Sequence, residues 1–277
     1  MKREWATWDW RSDPEAPRTW EHPERMVVIA DTLLGEEHAA WPIAEDVVAQ
    51  AGARAVIDYA KSGGACILTC SREGLERVAL RLTKAWLPQS LVPALRIERR
   101  ADLSVHALRA LFEVKARHRA LVVSPREEID LVDVIGPPEK MWDGDFDTSS
   151  RKMARLGKID LVIAQGPTGP DAWPMHPAWL RKLRDDCAAA RVAFAFVGWG
   201  SWGPVGPNFV DYANIAIFCD DNGGTRGEPI YLEKLEEDRR ENWEEHQPGD
   251  VQMFRVGAER SGRLLDGVEH LALPEGL

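Results

Sequence analysis

Short, continuous apolar runs alternate along this chain with longer segments of helical periodicity. Clear examples of the runs are residues 26–31, 65–69 and 120–124. A strand with one solvated face alternates apolar and polar residues, so continuous apolar runs are typical of parallel strands covered on both faces. The repeated strand-and-helix units therefore favour an α/β fold, either a (β/α) barrel or an open doubly wound sheet.

The same alternation predicts the other main elements. Further strands are expected at residues 94–98, 159–164 and 192–197. The terminal Trp5, Trp8 and Trp10 alternate in the sequence, which favours a strand that buries one face, although such a set could also stack on bases or on a partner. Helices are expected at residues 37–61, 73–87, 104–117 and 177–190, with Ser104 as a helix cap.

Two segments interrupt this rhythm, and both are interpreted as additions to one α/β domain that spans residues 1–277. Residues 136–157 are rich in Pro, Gly, Asp and Ser, which predicts an insertion or lid loop. Residues 203–277 form a Gly-rich C-terminal extension. Within it we expect a strand at 215–219, a charged helix at 232–245, and a terminal hairpin of 251–256 with 263–265 around 257–262.

Charge and hydropathy narrow the functional classes. The formal net charge is −10 at pH 7, which disfavours direct binding to a phosphate backbone. No apolar stretch approaches the roughly 18 residues of a membrane span, and the first residues form no apolar signal region, so the sequence predicts a cytoplasmic protein. The two basic clusters are interpreted as solvated strand or helix ends: Arg96, Arg99 and Arg100, and Arg181, Lys182 and Arg184.

The chain has four cysteines, Cys66, Cys70, Cys187 and Cys219. Cysteines this widely spread in a cytosolic protein are usually free thiols. Cys66 and Cys70 share one face of a predicted strand about 13 Å apart, with no His or Cys partner nearby. We therefore expect buried free thiols and no metal site.

Several stretches of the chain carry a family resemblance. They are the Trp-rich opening at residues 4–9, Gln-Gly-Pro-Thr-Gly at 165–169, Pro-Met-His at 174–176, the Gly-Trp-Gly-Ser-Trp run that ends at Trp202, and the closing segments 255–257 and 262–267. Together they resemble a family of phage- and bacterium-borne proteins related to radical-SAM enzymes, largely of unassigned function. The resemblance implies an incomplete (β/α) barrel like the radical-SAM core, with the Gly-rich extension closing one side.

The chain departs from that family where its chemistry would lie. A radical-SAM site needs three neighbouring thiolates to hold an iron–sulfur cluster, and the cysteine loop after the Trp-rich opening is missing here. Pro167 stands at the family's acidic position, Trp173 at an arginine and Cys70 at a lysine. Val197, Gly198 and Ser201 replace two further charged groups and an amide. The resemblance thus implies a degenerate member, a pseudoenzyme that needs no cofactor.

Two glycine-containing loops, residues 165–169 and 198–206, follow predicted strands and are the candidate ligand-binding segments. Backbone amides in such loops can cradle phosphates, although neither loop matches a dinucleotide or Walker fingerprint. Retained SAM-like or nucleotide-like binding and simple tight-turn packing both remain open. The residues assigned to the candidate ligand site are Gln165, Gly166, Thr168, Gly169, Trp199 and Trp202.

Three functional hypotheses follow. The first is a non-catalytic binding or regulatory protein that holds a partner protein or a small ligand in the former active-site mouth. The second is an iron-independent enzyme whose polar groups would be Asp31, Ser124, Glu127 and His176, although His176 could equally cap a helix. The third is an accessory protein of phage nucleic-acid modification, which the acidic balance disfavours. Whether the chain is an enzyme is left open.

Overall fold

The computed structural model of this chain describes the backbone of most of the predicted α/β region. The described residues are 4–8, 26–30, 58, 60–61, 63–75, 88–135, 158–204, 213, 215–220, 225–231 and 250–277. Several expectations lie outside them: Asp31, Trp10, the insertion at 136–157, the charged helix at 232–245, and most of the helices at 37–61 and 73–87.

In this part of the chain, the main element is a seven-stranded sheet in which the order of the strands follows the order of the sequence. All neighbouring strands are parallel. The strands are β1 Glu4–Trp8, β2 Met26–Ala30, β3 Ala65–Cys70, β4 Leu91–Ile97, β5 Ala120–Val123, β6 Leu161–Gln165 and β7 Ala193–Gly198.

This sheet confirms the prediction that the continuous apolar runs are parallel strands. β1 confirms the terminal strand expected from the alternating tryptophans, and Trp5 packs against the buried residues of its neighbours. The main difference is that β4 begins at Leu91 rather than at residue 94. Pro93 lies inside β4, although proline cannot donate to a strand ladder and usually marks a strand boundary.

Alternate residues of the strands separate into two apolar clusters, one for each face of the sheet. On the helix face, strand residues such as Cys66, Leu95 and Leu121 pack with helix residues such as Leu111 and Leu183. The other face is named here the alanine-rich face, because Ala65, Ala94, Ala120 and Ala195 alternate on it with larger residues such as Ile67 and Ile163. The described helices contribute only to the first cluster.

Two of the described helices begin at recognisable side-chain caps. α1 is Val105–Glu113, and the hydroxyl of Ser104 accepts a hydrogen bond from the amide of Ala107 at 3.2 Å, as predicted for its start. α2 is the short Val132–Ile135. α3 is Pro177–Ala190, whose proline stands in the first turn, and it ends at Arg191 with φ of 58°. A 3-10 turn occupies Arg100–Asp102.

The C-terminal extension forms a separate antiparallel sheet. The sequence predicted its strands at 215–219 and 251–256, but not their pairing in one sheet. Its strands are β8 Trp202–Pro204, β9 Ile215–Cys219, β10 Thr225–Tyr231 and β11 Val251–Arg255, in the order β10-β9-β11-β8. The expected hairpin of 251–256 with 263–265 is therefore wrong, because β11 pairs with β8 and β9. A helical turn, α4 Ala258–Ser261, follows β11.

A short terminal hairpin does form, but from other residues. β12 Leu264–Leu265 pairs with β13 Val268–Glu269 around an Asp266-Gly267 turn with φ of 54° and 76°. Positive φ at both central positions is the condition for a two-residue turn whose twist matches its strands. Asp266 also accepts hydrogen bonds from Arg181 and Arg184 of α3, so the predicted solvated helix residues pair with this turn.

Residues that follow the hairpin run antiparallel beside β7. The amide of Phe196 donates to the carbonyl of His270 at 2.6 Å, and the amide of Ala272 donates to that of Phe194 at 3.1 Å. Leu273 and Leu277 then pack against the alanine-rich face. This segment therefore satisfies backbone groups of β7 that would otherwise remain unpaired.

Within the described residues, the helices are too short or too polar to cross a bilayer.

Replacing Leu273 with alanine should lower the free energy of unfolding by about 1 kcal/mol, since a partly buried apolar contact is lost. Glu275→Ala, at an exposed position of the same segment, is the matched control and should have no measurable effect. Urea unfolding followed by tryptophan fluorescence measures both. Equal free energies for the two variants would contradict the packing of this segment on the sheet.

Candidate functional site

Four polar residues occupy the alternate positions that continue the alanine-rich face toward the carboxyl ends of β3 to β6. They are Thr69 on β3, Arg96 on β4, Ser124 directly after β5, and Gln165 at the end of β6. In parallel α/β sheets, ligands bind at this edge. We therefore take this group as the candidate functional site.

Thr69 and Arg96 were not among the residues assigned to a site from the sequence, and Arg96 was interpreted as a solvated strand end. The structure corrects that interpretation, because Arg96 is partly buried, whereas Arg99 and Arg100 are exposed as expected. Loss of solvation lowers the pKa of Arg96, and the nearby charge of Glu98 opposes that change. The sequence did contain a signal for this burial. Arg96 is the next alternate residue after Val92 and Ala94, so its side chain is expected on the same buried face of β4.

Ser124 and Gln165, at the ends of two adjacent strands, meet at the carboxyl edge. The hydroxyl of Ser124 donates a hydrogen bond to the backbone carbonyl of Gln165 at 2.6 Å. The amide of Ser124 donates to the carbonyl of Ile97 at 2.8 Å. Ser124 thus ties three neighbouring strand ends together, and its hydroxyl proton is directed to a carbonyl rather than to a base.

Glu127 and His176 are both engaged in local helical caps. The carboxylate of Glu127 accepts a hydrogen bond from the amide of Arg100 at 2.7 Å, at the start of the 3-10 turn. The buried His176 precedes α3, and its Nδ1 accepts from the amide of Ala178 at 3.2 Å. These contacts support the capping alternative for His176. The fourth proposed group, Asp31, lies outside the described residues.

The two glycine loops of the predicted ligand site pack directly on each other. The amide of Gly166 donates to the carbonyl of Gly198 at 2.8 Å, and that of Ser201 donates to the carbonyl of Pro167 at 2.9 Å. A Cβ atom on Gly166 would lie 1.9 Å from the carbonyl oxygen of Trp199. Both loops therefore need glycine for a close backbone approach, whereas the tip of the first loop, at Thr168 and Gly169, is exposed.

Trp199 and Trp202 are buried, so neither presents an open indole face to solvent. The Nε1 of Trp199 donates to the carbonyl of Leu264 at 3.1 Å, and that of Trp202 donates to the carbonyl of Ala172 at 2.7 Å. The ring of Trp199 also meets Phe196 edge to face, with centroids 5.0 Å apart. Trp202 therefore joins the second loop to the segment that follows the first, whereas Trp199 joins it to the terminal hairpin.

Further contacts hold the first loop over the ends of β4 and β5. The Nε1 of Trp173 donates to the carbonyl of Pro125 at 3.1 Å, and the guanidinium carbon of Arg126 lies 3.4 Å from the Trp173 ring centroid. Arg126 in turn pairs with Glu98 at 3.3 Å. Trp173 is thus a packing anchor of this edge.

All four cysteines are described, buried and free, which confirms the prediction for the thiols. Cys66 and Cys70 lie on the helix face, Cys187 in α3 and Cys219 in β9. Burial raises the pKa of Cys66, Cys187 and Cys219 to about 12, and it also raises that of Cys70. Over the described residues, no three His, Cys, Asp or Glu side chains gather in a way that could hold a metal ion.

The opposite edge of the sheet contains a buried histidine among charged groups. His118, just before β5, is 7% exposed, and its Nδ1 lies 3.8 Å from a carboxylate oxygen of Asp160. Desolvation lowers the pKa of His118. Asp160 opposes this effect, whereas Arg117 and Lys158 add to it. The net direction indicates a neutral imidazole in the folded protein.

A family model described as protein of unknown function, DUF5131, matches residues 8–274. No curated protein and no solved structure matches the chain.

Gly166→Ala should lower the free energy of unfolding by about 3 kcal/mol, because the new methyl group overlaps the backbone of Trp199. Gly169→Ala is the matched control: its φ is +93°, but no atom lies within 4 Å of the added carbon. Backbone strain alone should cost that variant about 1 kcal/mol. Urea midpoints measure both, and a Gly166 variant at least as stable as the Gly169 variant would refute the close approach of the loops.

Stability should fall as the pH drops below the ordinary histidine pKa of about 6.5. The unfolded chain then binds a proton at His118 that the folded state resists, because the pKa is lowered in the folded protein. One such proton gives a slope of at most about 1.4 kcal/mol per pH unit. The slope is confined to the window between the folded and unfolded pKa values and is absent above it.

His118→Phe should flatten this slope, whereas the exposed control His106→Phe should retain it. Free energies of unfolding in urea between pH 5 and 7.5 provide the measurement. An unchanged slope in the His118 variant would place the responsible proton elsewhere.

Proposed function

Since this chain belongs to the DUF5131 family, whose description assigns no activity, we propose its function from the geometry of the strand ends. It is a non-catalytic binding or regulatory protein on a partial barrel of the radical-SAM type, without the ligands for an iron–sulfur cluster. The ligand or partner occupies the carboxyl edge of the parallel sheet.

The strand order supports the barrel part of this proposal. In a doubly wound sheet the strand order reverses at a switch point, and helices then cover both faces. Here the order is sequential from β1 to β7, and the described helices pack on the helix face alone. When every strand is added on the same side of the previous one, right-handed connections place all the helices on one face of the sheet. The sheet can then curve so that its other face is enclosed, as in (β/α) barrels.

The positions of the cysteines are the main support for a protein without an iron–sulfur cluster. A radical-SAM cluster needs three accessible thiolates around one point. The chain has four cysteines in total, and they divide among β3, α3 and β9. The two on β3 lie on the helix face, away from the face that a barrel would enclose, and their raised pKa values favour thiols over thiolates.

The contacts at the strand ends support a packing role for the residues that depart from the resembling family. Trp173 packs under Arg126, and the backbones around Pro167 and Gly200 are in contact. The iron-independent enzyme has no comparable support, because Glu127 and His176 serve as caps. The net charge of −10 likewise disfavours the nucleic-acid accessory role.

Anaerobic reconstitution of the full chain with iron and sulfide provides the test. We expect substoichiometric iron, no charge-transfer absorption, and no cleavage of SAM to deoxyadenosine under reducing conditions. The double variant Cys66→Ser, Cys70→Ser is the matched control and should contain as little iron as the native chain. A brown, SAM-cleaving preparation whose iron is lost in the double variant would overturn the proposal.

Titration of the native protein with a disulfide thiol reagent adds an independent readout. None of the four thiols should react before unfolding, because all are buried with raised pKa values. Rapid reaction of two or more thiols in the folded state would contradict this arrangement.

A further inference from the structure

We propose that the amino edge of the parallel sheet, where the strands begin, contains a pH-sensitive switch: protonation of His118 locally opens the connection between α1 and β5. The opening loosens the starts of β5 to β7 and the C-terminal segment 270–277, while the remainder of the sheet stays folded. This inference goes beyond the proposed binding function and does not depend on what the carboxyl edge binds.

The first support is a buried imidazole without hydrogen bonds. His118 is 7% exposed, and neither of its ring nitrogens has a hydrogen-bond partner in the described part of the chain. The Oδ2 atom of Asp160 lies 3.8 Å from its Nδ1, which is beyond hydrogen-bond range. An ordered water at either nitrogen would satisfy a neutral ring, but protonation would still place a net charge in this buried position.

The second support is the set of charged groups around His118. They are Asp160 and Lys158 from the start of β6, and Arg117 from its own connection. The carboxylate of Asp160 is already engaged, because its Oδ2 accepts a hydrogen bond from the amide of Arg119 at 3.1 Å and its Oδ1 pairs with Lys158 at 3.1 Å. The guanidinium of Arg119 is directed to carbonyl groups at the end of α1. A protonated His118 would therefore add a cation beside a single carboxylate that is already shared.

The third support is the number of strands that are joined at this point. The amide of Asp160 donates a hydrogen bond to the carbonyl of Arg119 at 2.9 Å, and the amide of Ala193 donates to the carbonyl of Asp160 at 3.2 Å. Because the carboxylate of Asp160 also accepts from the amide of Arg119, this residue ties the starts of β5, β6 and β7 together. A movement of Asp160 that accommodates a charged imidazole therefore disturbs all three starts.

Arg117 links His118 to the C-terminal segment. Its Nη1 donates a hydrogen bond to the side-chain carbonyl of Gln89 at 2.7 Å. A Cβ atom on Gly276 would lie 3.0 Å from its Nη2, so the guanidinium packs against the backbone of the C-terminal segment. Repulsion between a charged His118 and Arg117 therefore acts on a group that this segment contacts.

The connection that contains His118 is suited to local opening. Residues 114–119 form neither helix nor strand, and such connections open at lower free energies than core strands. In the closed state burial lowers the pKa of His118; Arg117 and Lys158 add to this effect and Asp160 opposes it. An opened imidazole returns to its ordinary pKa of about 6.5. The closed state is therefore fully favoured above that pH, and opening increases as the pH falls toward the lowered pKa.

Hydrogen exchange of the full chain, followed by mass spectrometry between pH 7.5 and pH 5, tests the switch. The opening constant of a peptide is its exchange rate divided by the rate of unprotected amides at the same pH. For peptides that cover residues 114–120 and 270–277, we expect this constant to rise about fivefold from pH 6.5 to pH 5.5, because opening takes up one proton. The rise should be insensitive to low concentrations of urea, since a local opening exposes little surface.

Variants assign the rise to one side chain. In His118→Gln, which does not titrate, the opening constant should not vary over this range. His106→Gln, at an exposed position of α1, is the matched control and should retain the native rise. If His118→Gln does not fold, Lys158→Gln provides a second test. It removes a cation that lowers the pKa of His118, so the rise should become about twofold smaller.

Three results would overturn the switch. The first is an opening constant of the native chain that does not change with pH. The second is a rise that persists unchanged in His118→Gln or, if that variant does not fold, in Lys158→Gln. The third is an opening constant that equals, at every pH, the global unfolding constant from urea denaturation, because the connection would then open only when the whole chain unfolds.

Discussion

Successive side chains of a β-strand point to opposite faces, and this alternation is the constraint on which the rest of the structure depends. Each strand of the parallel sheet must suit two environments at once. One set of residues meets helices and is large, as in Leu95 and Leu121; the other forms the alanine-rich face. The same alternation assigns Cys66 and Cys70 to one environment and Thr69 to the other. Whether a polar residue near the end of a strand lies on the helix face or on the alanine-rich face therefore depends on whether its position in the strand is odd or even.

Much of the parallel sheet could be predicted because its signal is local. Short segments of five or six residues, most of them continuously apolar, identified β2 to β7, and Ser104 marked the start of α1. The antiparallel sheet could not be predicted in the same way, because β8 is three residues long and its partner β11 lies almost fifty residues later. A pairing between strands so far apart in the sequence leaves no periodic pattern from which it could be predicted. The terminal hairpin, in contrast, depends on a local turn at Asp266 and Gly267.

The candidate site shows the same division. Ser124 and Gln165 were named as candidates from the sequence because each lies at the end of a predicted strand, and the fold brings them into contact. Thr69 and Arg96 were missed because both lie inside strands, where a polar residue looks like a local exception. Arg96 was instead grouped with its exposed neighbours Arg99 and Arg100. The burial of a residue depends on the face of the sheet on which it lies. Predicting that face requires the register between the strand and its neighbours.

The tight contact of the loops around Gly166 and Gly200 has a mechanical consequence. Their backbones touch, and the same segment is joined to the antiparallel sheet by the indole of Trp202 and by hydrogen bonds from Arg255 to the carbonyls of Gly169 and Pro170 at 2.9 and 2.6 Å. Neither loop can shift independently without separating these groups. A displacement at the end of β6 therefore also displaces β8 and β11. The antiparallel sheet is in this way mechanically coupled to the carboxyl edge of the parallel sheet.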